Sequence, residues 1–184
     1  MKDIVISNLT EILLKEISIE DTYRCVHNFG HLSMAKYFNQ RWDKPLDSDL
    51  HDFNFKTVKD ASSKNHKYEK DITAIMIYCA GYAAEGLFEF DADICRESTA
   101  IRFANDMKLM LPYIKNDLKQ GSRQHQDSAQ DLISKDSIMQ AYTEHINIAT
   151  LHLMNIAKAN NMAPTQYLQN GAVKLWALMK KDSN

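Results

Sequence analysis

The chain of 184 residues reads as a mainly α protein, a multi-helix single domain over 1–184 with at most a small β element around residues 51–58. Three observations predict this. Glycine and proline are scarce, 5 and 3 in all, too few breaks for a many-turned β fold. Apolar residues recur at helical spacing along most of the length. Hydrophobic residues make up 45% and charged residues 25%, the balance of a globular chain long enough to bury a substantial core.

Ile4, Val5, Leu9, Ile12, Leu13 and Ile17 predict a short amphipathic helix over residues 3–17. Ser18, followed by the acids Glu20 and Asp21, is a candidate cap for a second helix. That helix carries the apolar stripe Tyr23, Val26, Leu32, Met34, Ala35 and Phe38, and ends before Pro45. Gly30 sits inside it, where glycine costs about 1 kcal/mol relative to alanine, so a neighbour is expected to approach closely there. "HDFNFKTV" alternates apolar and polar residues like a strand, and "KDASSKNHKYEKD" reads as a loop.

Residues 71–90 are strongly apolar and predict a central, buried helix, with Ala80, Gly81, Ala83 and Ala84 small enough for another backbone to pack close. A further helix follows through "DADICRESTAIRFANDMKLML", with Pro112 as its expected stop. Residues 115–136 hold few apolar residues and read as surface loop or solvated helix. Two more helices are expected, from about Ser137 to Asn160 and from Pro164-Thr165 to a charged tail.

A net charge of -2 argues against the overall basicity of a dedicated nucleic-acid binder. No run of about 18 apolar residues exists, so no membrane span is expected, and the N-terminus lacks a signal peptide's cleavage pattern. Cys25, Cys79 and Cys95 are odd in number and widely spaced, which fits free, buried thiols and a cytoplasmic location better than a disulfide framework.

His27 and His31 stand four apart in the second helix, with Asn28 after the first. Residues at that spacing share one helix face, where two imidazoles can chelate one zinc ion, given a third ligand from elsewhere. Two polar histidines on an ordinary helix are the plain alternative, because such a pair arises readily by chance in a chain with seven histidines.

The segment "YRCVHNFGHLSMAKYF" resembles the zinc helix of the FtsH-type peptidase domain, H-E-A-G-H-A followed by apolar residues, with Gly30 at the family's glycine. "YCAGYAAEGLFEF" is similar to that family's A-G-x-A-A-E signature. "FDADICRESTAIRFANDM" resembles the stretch D-L-x-x-A-T-x-x-A-x-x-M that carries its third zinc ligand. The three occur in the family's order and cover roughly residues 20–110. The resemblance implies zinc held by His27, His31 and Asp93, with Asp91 a competing third ligand. It also implies a free-standing peptidase-like domain, since no G-x-x-x-x-G-K-[ST] nucleotide loop is present.

Asn28 is the main departure. In H-E-x-x-H the glutamate takes a proton from metal-bound water, and an asparagine cannot accept it. General acid–base catalysis contributes roughly 10²–10⁴-fold, so a degenerate site without normal peptidase activity is expected, acting by binding a peptide or protein partner. Glu85 and Glu97 are the candidate substitute bases, without support from spacing.

Elsewhere, His51-Asp52 lacks the apolar helix expected of a metal-dependent phosphohydrolase, and His145 and His152 lie two turns apart, too far to share a metal. The competing reading is a small non-enzymatic nucleic-acid-binding protein, a homo-oligomer, in which the histidine pair is fortuitous. It rests on Lys64, Lys67, Tyr68, Lys119 and Arg123, with lysine and arginine set against phosphates and an aromatic ring available to stack.

Overall fold

The structure, a computed structural model, describes residues 17–41, 67–88, 92–124 and 134–181. Within them lie five helices and no strand: α1 (Ile19–Arg41), α2 (Lys67–Phe88), α3 (Ala92–Gln124), α4 (Lys135–Ala159) and α5 (Pro164–Lys181). The mainly α architecture predicted from the sequence is thus the observed one. Residues 3–16 of the helix expected over 3–17, the β element at 51–58, His51, Asp52 and Lys64 lie outside the described residues.

Ser18 caps α1 as expected: its Oγ accepts from Asp21 N at 3.0 Å and donates to Asp21 Oδ2 at 2.9 Å. The helix then lays Val26, Met34 and Ala35, all fully buried, against its neighbours. Gly30 is where α1 meets α2 most tightly. A Cβ there would strike the Ala80 carbonyl oxygen and come 2.6 Å from Ala84 Cβ. The small residues of both helices therefore set a short interaxial distance and, with it, the register of α1 on α2.

α2 is the central element and touches all four other helices. Its run from Ala74 to Ala80 is buried almost without interruption, as the continuous apolar sequence requires. It begins at Lys67, four residues ahead of the helix read from the sequence, which takes in the end of the expected loop.

α3 corrects another expectation, because Pro112 does not stop it: the helix runs on to Gln124. The proline removes one backbone hydrogen bond, to the carbonyl of Lys108. Pro112 and Lys108 are both exposed, so water can serve that carbonyl. Met110 and Ile114 on either side are fully buried and pin the helix to α2 across the break.

Ser134 caps α4, accepting from Ser137 N at 3.0 Å. Tyr142 ties α4 to α3 by donating its hydroxyl to the Met107 carbonyl at 2.7 Å. A turn through Asn161, at φ 56, leads to α5, which opens on Pro164, a residue suited to a helix's first position. Leu168, Ala172, Leu175 and Trp176 of α5 complete the core. No helix among the described residues is long and apolar enough to cross a membrane.

Candidate metal centre

His27 and His31 point from α1 into the α1–α2–α3 interface, each only 4% exposed. Their rings meet edge to face, centroids 4.5 Å apart and planes at 89°. His31 Nδ1 lies 2.7 Å from the Ile77 carbonyl oxygen, which can only accept, so that nitrogen carries the proton. On His27, Nδ1 lies 2.7 Å from Glu85 Oε1 without hydrogen-bonding alignment, so this contact does not fix the ring's tautomer. The two Nε2 atoms face each other inward, 3.0 Å apart.

Asp106 of α3 completes the group. Its Oδ2 stands 3.0 Å from His27 Nε2 and 3.4 Å from His31 Nε2, and the residue is 8% exposed. Two imidazole nitrogens and a carboxylate oxygen crowd one buried point, and Oδ2 receives no well-aligned hydrogen bond among the described residues. Such an arrangement needs a shared proton or a cation between the atoms. The dimensions suit a metal ion. Ligands about 2.0–2.1 Å from a tetrahedral zinc lie roughly 3.3 Å from one another, and the observed edges are 3.0, 3.0 and 3.4 Å. Buried His27, His31 and Asp106 thus lie close enough to hold a metal ion.

Gly81 makes room for them. A Cβ at that position would fall 2.5 Å from His31 Cε1 and Nε2 and 2.7 Å from His27 Cε1. The two ring edges occupy the space that a side chain at this position of α2 would fill.

Glu85 forms a second layer. Its carboxylate takes Arg102 Nε on Oε1 at 2.8 Å and Arg102 Nη2 on Oε2 at 3.0 Å, accepts from the Thr99 hydroxyl, and faces His27. Burial acts to raise its pKa, but the His27, Arg102 and Thr99 contacts outweigh it and hold the group at about 2. Asp106 follows the same logic: burial pushes up, the two histidines pull down, and it settles at about 2. For His27, burial favours the neutral ring, yet Asp106 and Glu85 together raise its pKa. Two carboxylates and one arginine leave one negative charge in the pocket, which a proton on the histidine pair or a bound cation would offset.

The structure brings His27 and His31 together as the spacing implies, but the carboxylate beside them is Asp106. Asp93 sits thirteen residues earlier on α3, about 20 Å along the axis at 1.5 Å per residue. Asp91 falls outside the described residues. Sequence reasoning missed Asp106, although a signal was present. Arg102, Asp106 and Met110 recur every four residues, so the aspartate falls on α3's inward stripe, where a charge demands a partner.

The two candidate substitute bases are placed differently. Glu85 has both oxygens engaged, and Glu97 is exposed on α3, nine residues before Asp106. Asn28 is half-buried on α1. Elsewhere His145 Nε2 lies 3.5 Å from Asp117, and the His152 ring lies against Tyr37. α2 and α3 are antiparallel, as the Glu85–Arg102 and Tyr78–Tyr113 pairs show. Lys67 and Tyr68 at the start of α2 therefore lie near the end of α3, with Lys119 and Arg123; the acids Glu69, Asp71 and Asp117 belong to the same end. No protein-family model, curated protein or solved structure matches the chain.

Proposed function

We propose that this chain is a zinc-binding helical protein, a degenerate metallopeptidase-like domain that acts by binding rather than by hydrolysis. The observation that carries this reading is the convergence of His27 Nε2, His31 Nε2 and Asp106 Oδ2 on one buried point, with the far nitrogen of each ring facing Glu85 or the Ile77 carbonyl. A histidine whose second nitrogen donates to a carboxylate or carbonyl is the usual form of a metal-ligating imidazole. Zinc at this point would supply a divalent charge that neutralises Asp106 and ties α1 to α3. Asn28 cannot act as the base of H-E-x-x-H, and the three ligand residues are shielded from solvent, so the metal's role is to hold the bundle's binding surfaces in place.

Elemental analysis after purification without chelator, followed by refilling with zinc, tests the reading. One equivalent of zinc is expected in the wild type, substantially less in His31→Ala and Asp106→Ala, and an unchanged content in Asp93→Asn. A protein that takes up no zinc when it is supplied would remove the metal centre. Zinc lost in Asp93→Asn but kept in Asp106→Ala would move the third ligand to the start of α3.

A further inference from the structure

A cleft of about 220 Å³ opens between α1, the end of α4 and the start of α5, on a side of α1 away from the histidine pair. From the chemistry of its lining we infer that it is a binding site for a small aromatic carboxylate. At its base Ser33, 4% exposed, meets Tyr167, their hydroxyl oxygens 3.2 Å apart. One proton lies between the two oxygens, which leaves the other hydroxyl proton for a ligand oxygen. Lys36 stands exposed on the rim, and neither an ion pair nor a hydrogen bond engages it among the described residues. No carboxylate lines the cleft among the described residues, so Lys36 sets its charge preference.

The helix end beside it does not consume that charge. At the close of α4, Asn160 N and Nδ2 both donate to the Ile156 carbonyl, at 3.2 and 2.8 Å. Asn161 N caps Lys158 and Met162 N caps Ala157. With those carbonyls satisfied, the Lys36 ammonium is left for a ligand. A single cation beside the negative pole of α4 suits one negative charge better than the two of a phosphate.

The walls favour a ring. Tyr37 is held by contacts with Phe38 and His152, ring centroids 5.4 and 5.3 Å away, and Tyr167 by Phe29 at 5.3 Å. Ile156 adds an apolar side chain to the lining. An apolar cavity of ~150 Å³ already admits benzene, so the cleft accommodates one ring with its carboxylate at Lys36 and the Ser33–Tyr167 pair.

The test is a fluorine NMR titration of the full chain with 4-fluorobenzoate, 4-fluorobenzamide and 4-fluorobenzylammonium. Saturable binding of the acid is expected, about fivefold tighter than the amide, at the upper end of what an exposed ion pair contributes. Lys36→Met should abolish that preference, and Ser33→Ala should weaken the acid further, with thermal melts of both variants confirming the fold. Lys174→Met, an exposed lysine on α5 outside the cleft, should leave it intact. No saturable binding of the acid, equal binding of all three probes, tighter binding of the ammonium, or an undiminished preference in Lys36→Met would each overturn the proposal. None of these readouts depends on zinc, so the site stands or falls apart from the metal centre.

Discussion

Gly81→Ala separates metal binding from folding more cleanly than removal of a ligand does. The added methyl would lie 2.5 Å from two atoms of His31 and 2.7 Å from one of His27, whereas carbon contacts settle at about 3.5–4.0 Å. The imidazoles must therefore retreat by roughly 1 Å. Overpacking of that kind costs about 1–3 kcal/mol, and alanine's better helix propensity returns about 1 kcal/mol. The metal-free protein should lose about 0–2 kcal/mol, a fall of a few degrees in Tm at about 2–4 °C per kcal/mol for a chain of this length. Zinc sites tolerate only about 0.2 Å of ligand displacement. Disturbing mere supporting residues already costs 10–100-fold in affinity, so a loss of at least about 100-fold is expected here. Gly86→Ala is the matched control on the same helix: a Cβ there meets nothing within 4 Å, and no glycine among the described residues has positive φ. It should raise stability by up to about 1 kcal/mol and leave zinc affinity untouched. Competition against a chromogenic chelator reads the affinity, and thermal melts of the metal-free proteins read the stability. If Gly81→Ala kept zinc within a few-fold of the wild type, or stabilised the metal-free protein as Gly86→Ala does, the ring pair would not lie against α2 as described.

Arg102→Met strips Glu85 of its two-pronged partner inside the bundle and should cost about 3 kcal/mol in urea unfolding, as broken buried ion pairs do; a loss under about 1 kcal/mol would show that Glu85 is held well enough by Thr99 and His27. Asn28→Glu restores the letter of H-E-x-x-H but not access, because His27, His31 and Asp106 remain buried. No peptide hydrolysis above the wild type is expected in a quenched-fluorophore peptide assay, and turnover would show that the site opens to substrate. Burial pushes the Cys25 thiol up to about 11 and the Cys79 thiol up to about 12. Both should resist a disulfide reagent at pH 8 until denaturant is added, and mass spectrometry can assign any modified cysteine.

What was legible in the sequence is what single helices decide locally. The Ser18 cap, the buried stripe of α1, the continuous apolar run of α2 and the close approach at Gly30 all follow from spacing within one element, and all are observed. Pro112 misled because its cost of about 3 kcal/mol is a property of an isolated helix, whereas Met110 and Ile114 draw on packing that no local rule includes. The histidine pair was legible for the same reason as the caps, since four residues along a helix return a side chain to one face.

The carboxylate that joins the two histidines belongs to a different kind of information. Which residue of α3 stands opposite His27 depends on how far α1 slides on α2 and α3 on α2. That register is set by Ala80 and Ala84 against Gly30, by Cys79 against Met110 at 3.5 Å, and by Arg102 against Glu85. A slip of one helical turn in either contact would present Arg102 or Met110 in place of Asp106. No pattern within α3 alone distinguishes these outcomes, and alignment by resemblance chose Asp93, near the helix's other end. Charge offers the better guide. Arg102 and Asp106 interrupt a stripe that otherwise carries Met107, Met110 and Ile114, and Glu85 interrupts the small-residue face of α2. Burying each such group unpaired costs several kcal/mol, so a fold that buries them must bring them to opposite charges, to histidines or to a metal. Glu85 meets Arg102 in this way, and Asp106, one turn further along the same stripe of α3, meets His27 and His31.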